Sequence, residues 1–171
     1  MPVLYFAYGS NMSPSQMARR CPGARLIGPA TLEDWRLIIT VRGSANIIRQ
    51  PDGRVEGALW RFEPRHIGLM DQWEGVSRRV YRRSWLRVQM ANGHSDSKTT
   101  LTALTYVCTT RWPGYARTSY VETAMVPGAR ALNLSASYIE EIQSWLADYP
   151  LAGARLYTGR RAAKSIKTGS T

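Results

Sequence analysis

Apolar positions in this chain fall into short runs cut by glycine, proline and small polar residues. That punctuation predicts short strands and helices. Residues 3–8 are nearly all apolar and read as a core strand that stops abruptly at Gly9-Ser10-Asn11. Ser13 and Pro14 supply an N-cap and a first helical residue, so a short helix runs to Arg20 and stops before Cys21-Pro22-Gly23. Residues 25–32, 35–41 and 46–49 read as strands, Pro51-Asp52-Gly53 as a turn, and 55–62 as the next strand. Gly57 inside that strand marks a bulge or a close approach. Pro64 opens a helix with Ile67, Met70 and Trp73 on one face and Gly75 as C-cap.

Further on, residues 81–90 and 99–108 read as strands joined by the polar loop 91–98. Residues 117–126 read as helical and Pro127-Gly128 as a break. Ser135 caps a last helix whose apolar stripe is Ile139, Ile142, Trp145 and Leu146. Six or so strands with helices inserted, not in regular βαβ order, predict an α+β fold: a mixed, strongly curved sheet or small β-barrel with flanking helices. With no repeat and no linker, the reading is one domain over residues 1–151 and a basic, partly disordered tail over 152–171.

Charge changes this picture modestly. The 171 residues carry 23 Lys+Arg against 12 Asp+Glu, a net charge of +11. After Asp148 there is no acid, while Arg155, Arg160, Arg161, Lys164 and Lys167 follow. Arg78, Arg79, Arg82, Arg83 and Arg87 form a second cluster in and beside a predicted strand. Without a zinc finger, RNA-binding sheet signature or basic zipper, a solvated basic surface is favoured over a nucleic-acid-binding one. No run approaches a membrane span, and the N-terminus lacks a secretory pattern. Cys21 and Cys108 fit no disulfide framework or metal pattern, so a reduced cytoplasm is expected.

The candidate chemistry is found by elimination. His66 and His94 lack companions at metal-ligand spacing, so no metal is expected. No nucleophile elbow, dinucleotide loop or triphosphate loop is present, and Cys21 reads as a surface thiol. General acid/base work by a carboxylate remains. Most of the 12 acids fall at turns or on polar faces. Glu74 differs, because it ends a helix between Trp73 and Gly75. The negative helix end and burial both raise a carboxylate pKa toward the range a base at neutral pH needs. The alternative is an exposed, frayed helix end without a role.

Leu4-Tyr5-Phe6-Ala7-Tyr8-Gly9-Ser10-Asn11-Met12, Val55-Glu56-Gly57-Ala58-Leu59-Trp60 and Met70-Asp71-Gln72-Trp73-Glu74-Gly75-Val76 followed by Tyr81 resemble the γ-glutamylcyclotransferase family, including its γ-glutamylamine branch. Weaker matches run through Leu104-Thr105-Tyr106, Tyr120, the 134–145 helix and Tyr157-Thr158-Gly159-Arg160, so the resemblance covers nearly the whole chain. It implies a mixed sheet around a small barrel and release of 5-oxoproline from γ-glutamyl compounds without cofactor or metal. It further implies that Tyr8, Gly9, Ser10 and Asn11 line the pocket and hold substrate through backbone N–H groups. Glu74 would be the acid/base, and Tyr81, Tyr106 and Tyr120 pocket tyrosines.

The leaving group stays open: an amino acid, a lysine side-chain amine, or a biosynthetic intermediate protected by a γ-glutamyl group. The arginine-rich 77–83 segment either favours an acidic leaving group or is surface. Two other classes also stay open: a non-catalytic ligand-binding protein of the same fold, and an acidic-partner or nucleic-acid adaptor acting through the basic surface.

Overall fold

A computed structural model describes residues 2–91 and 98–146. His94, Asp96, Asp148 and the 152–171 tail lie outside the described residues.

Five strands, β1 (Val3–Ala7), β2 (Arg25–Ile39), β3 (Ala45–Phe62), β4 (Tyr81–Ala91) and β5 (Lys98–Cys108), pair in the ring order β1-β3-β2-β4-β5. β5 returns to β1 in parallel, with Tyr5 opposite Leu104, and the other pairings are antiparallel. The expected α+β curved sheet is therefore present. Helices α1 (Pro14–Arg20) and α2 (Pro64–Glu74) interrupt the strands, and α3 (Thr118–Tyr120), α4 (Val126–Ala131) and α5 (Ala136–Gln143) follow them. Phe6, Leu59, Phe62 and Leu104 from the sheet share one core with Met12, Met17 and Met70. No helix among the described residues is long and apolar enough to cross a membrane.

Three expectations are corrected. The predicted strands at 25–32 and 35–41 are one strand, β2, and those at 46–49 and 55–62 are one strand, β3. Trp35 faces Arg49 while Glu33 faces Arg54, so the Pro51-Asp52-Gly53 signal is spent on a register shift inside a continuous ladder. Asp34 and Asp52 absorb it with positive φ of 63° and 58°. Pro127-Gly128 does not end a helix. Pro127 stands near the start of α4, and a π-helical turn, Val121–Met125, runs directly into it, so the irregular ladder of that turn accommodates the missing N–H. Trp73 is not on a buried face but 57% exposed, while Met70 and His66 are buried.

Two glycines set the distances around the site. A Cβ on Gly57 would stand 2.3 Å from the Ala7 carbonyl oxygen, so glycine lets β3 close on the end of β1. A Cβ on Gly128 would stand 2.8 Å from Ser13 N, so α4 rests directly on the chain that follows Asn11.

Candidate active site

The end of β1 opens into a cavity of about 160 Å³. Pockets for drug-sized ligands measure roughly 300–1,000 Å³, so this cavity suits a smaller group. Its wall contains Tyr8, Gly9, Ser10, Asn11 and Glu74, together with Tyr81, Tyr106 and Tyr120. The structure thus brings all eight candidate residues together from five separate stretches of chain.

The loop owes its shape to short-range bonds. Gly9 O accepts from Met12 N and Ser10 O from Ser13 N, closing a 3-10 turn, and Ser13 then caps α1. Glycine at position 9 leaves room for close packing, because an added Cβ would sit 3.0 Å from the Tyr120 hydroxyl and 3.2 Å from Ala45 Cβ. The Tyr120 hydroxyl lies against the N–H groups of Ser10 and Ala45.

Glu74 is the last residue of α2. Gly75, at φ 61°, turns the chain away in the left-handed conformation. Glu74 Oε1 accepts from Asn11 Nδ2 at 3.0 Å, and the same amide nitrogen donates to the Tyr5 hydroxyl at 2.9 Å. Burial pushes the Glu74 carboxyl up to about 7, against the opposing pull of the Arg20 charge and the Asn11 hydrogen bond. At neutral pH the group is therefore divided between acid and base.

The tyrosines are fixed by their hydroxyls. Tyr8 donates to the Tyr106 carbonyl at 2.6 Å, Tyr81 to the Ala45 carbonyl at 2.7 Å, and Tyr106 to Asp71 Oδ1 at 2.8 Å. Burial raises the hydroxyl pKa of all three and of Tyr5 and Tyr120, so each stays neutral at physiological pH.

Sequence reasoning missed a supporting layer. Gln16 and Arg20 stand one turn apart on α1, and both donate to Asn11 Oδ1, at 3.2 and 2.9 Å. The Arg20 guanidinium also stacks over the Trp73 ring, 4.9 Å from its centroid. Asp71, three residues before Glu74, pairs with Arg83. The Arg83 hydrogen bond, helped by Tyr106, holds Asp71 below the usual carboxylate range. The i, i+4 spacing of Gln16 and Arg20 and the i, i+3 spacing of Asp71 and Glu74 were available signals. Nothing in the sequence says which partner each face meets.

Other candidates are structural. Glu56 accepts from the Ser135 backbone and hydroxyl, which anchors α5 to β3. His66 is buried. Its Nδ1 accepts from Glu63 N, so the Nε2 proton points to the Pro22 carbonyl. Cys21, expected at the surface, is buried, and burial pushes its thiol up to about 11. Among the described residues no group of three or more His, Cys, Asp or Glu stands at metal-binding spacing.

Residues 5–124 match the family model described as gamma-glutamyl cyclotransferase, AIG2-like. The chain is 35% identical over 88 residues to a mouse gamma-glutamylcyclotransferase and 31% identical over 88 residues to a human one. Each match covers 46% of this chain, and the chain spans 47%, about half, of the length of these relatives. Among solved structures, a human protein described as uncharacterized superposes with TM-score 0.77 at 25% identity, covering 86% of this chain and 90% of that one. A gamma-glutamyl cyclotransferase superposes with TM-score 0.77 at 24% identity, covering 88% of this chain and 92% of its own, a likeness of fold.

Proposed function

The chain belongs to the gamma-glutamyl cyclotransferase, AIG2-like family, and on that premise we propose that it converts a small γ-glutamyl compound to 5-oxoproline and a free amine. One observation carries the reading: a carboxyl poised near neutrality, Glu74, faces the Tyr8–Asn11 loop across a small polar cavity.

The reaction needs no water. The α-nitrogen of the substrate attacks the γ-carbonyl carbon, a C–N bond forms in the five-membered ring, and the C–N bond to the leaving amine breaks. Two protons leave the α-ammonium nitrogen, and two arrive on the released amine. A single group that both accepts and returns protons therefore suffices. Glu74 fills that role as carboxylate first and carboxylic acid second. Because ring closure is intramolecular, most of the remaining work is positioning.

Backbone N–H groups of the Gly9–Asn11 turn hold the α-carboxylate or the developing oxyanion, as successive N–H groups in a tight turn do. The neutral tyrosine hydroxyls orient the γ-glutamyl part. The decisive experiment incubates the protein with a panel of γ-glutamyl amino acids and γ-glutamyl amines and detects 5-oxoproline by mass spectrometry, with Glu74→Gln in parallel. Product from the wild type and none from the variant supports the reading. No product from any panel member, with the protein folded, overturns it in favour of a non-catalytic binding protein.

A further inference from the structure

The two ends of an asparagine amide are nearly the same size, and its neighbours decide which end faces which. Asn11 has Glu74 and the Tyr5 hydroxyl on one side and Arg20 and Gln16 on the other. A guanidinium carries only donors. The end of Asn11 that meets Arg20 must therefore be the carbonyl, and the NH₂ must face Glu74 Oε1. Gln16 cannot enforce this alone, because its own amide can turn over and offer an acceptor instead.

Arg20 is itself held in place. It stacks on Trp73 and pairs with no carboxylate among the described residues. The other titratable groups around Glu74 are Tyr5 in β1, Tyr8 just after it, Tyr81 on β4, Tyr106 on β5 and Tyr120 on α3, all neutral. Asp71, on α2 itself, is paired with Arg83.

We propose that Arg20 is a positioning residue for the proposed reaction: by gripping the Asn11 carbonyl it locks the amide that holds Glu74 Oε1, which leaves Oε2 as the oxygen that carries the moving proton. The assignment rests on the cyclotransferase reading for its meaning, but not for its test. Among the described residues, Arg20 is then the cation whose removal changes both the orientation and the ionisation of Glu74.

The test compares wild type, Arg20→Lys, Arg20→Gln and Arg20→Met. Two measurements are made: the pH profile of kcat/KM for 5-oxoproline release, and ¹³C NMR titration of glutamate-labelled protein, with the Glu74 signal identified by its loss in Glu74→Gln. Loss of the cation disfavours the carboxylate. In the Gln and Met variants the acid limb and the NMR midpoint should both move upward by about 1 pH unit. At neutral pH kcat should fall roughly tenfold or more, with KM much less affected. Arg20→Lys keeps the charge and should hold the midpoint near wild type. A midpoint and limb that stay fixed in both neutral variants, with folding confirmed by thermal melts, would overturn the proposal and leave Arg20 as a helix-end residue. The NMR titration needs no turnover, so failure of the wild type to make product would sink the cyclotransferase reading while leaving the Arg20 assignment decided on its own.

Discussion

Asn11 Nδ2 donates to Glu74 Oε1 at 3.0 Å across 63 residues of sequence. That one bond joins the turn after β1 to the end of α2. It makes the nucleus of the cavity a single hydrogen-bonded unit, with Tyr5 on one side and Arg20 and Gln16 on the other.

Breaking the unit at its centre has a direct readout. Asn11→Leu keeps the size of the side chain but leaves Glu74 Oε1 and the Tyr5 hydroxyl without their donor. We expect a stability loss of about 1–3 kcal/mol in urea titration. The loss of kcat should exceed what that destabilisation explains in protein that is still folded. A variant with wild-type turnover would show that the bond is incidental.

Glu74 should also leave a signature in stability that needs no substrate. Its carboxyl is raised from 4.5 to about 7 by burial, so the folded state holds the proton more tightly than the unfolded chain. The stability it contributes is complete below about 4.5 and is lost as pH rises through about 7. Glu74→Gln lacks this slope. Its stability relative to wild type should increase across that window by at most about 3 kcal/mol. Parallel dependence in both proteins would mean that Glu74 titrates normally.

Gly128 lets α4 support the loop from far along the chain. In Gly128→Ala the new Cβ would meet Ser13 N at 2.8 Å and the Met12 carbonyl carbon at 2.9 Å, both backbone atoms that cannot swing aside. We expect about 1–3 kcal/mol of destabilisation in thermal or urea melts. A raised KM for 5-oxoproline release should accompany it, because the loop must shift. Gly68, with nothing within 4 Å of an added Cβ, is the control and should tolerate alanine.

The two thiols provide a check on chemistry that the fold rules out. Cys21 and Cys108 are buried, and the Cys21 thiol is pushed up to about 11. Ellman's reagent should count no reactive thiol in the native protein and two after denaturation. Turnover should survive alkylating reagents. Inactivation that tracks modification of Cys21 would reopen a nucleophilic role.

Local chemistry made much of this legible from the sequence. Ser13 and Pro14 specify the start of α1, and Pro64 and Gly75 bracket α2, because caps and φ preferences act within a few residues. The contrast between the apolar run of β1 and the small residues after it marks the loop. Glu74 stood out as a carboxylate at a helix end, although burial, rather than the helix end, is the cause the structure gives for its raised pKa.

The rest depended on which surfaces meet. The Pro51-Asp52-Gly53 turn signal was overridden because β2 and β3 gain more by pairing along their whole length than by stopping. Pro127-Gly128 reads as a break locally, yet it serves a close helix-to-loop contact that only the fold creates. Cys21 looked exposed beside a proline, and packing near His66 buried it. Gln16, Arg20, Asp71 and Arg83 are ordinary polar residues on helix and strand faces. The sequence determined the caps of α1 and α2, the loop after β1 and the helix end that carries Glu74. Only tertiary structure decided that Arg20 grips Asn11 and that Asn11 grips Glu74, because a hydrogen bond across 63 residues is set by the closure of the sheet and not by any local preference.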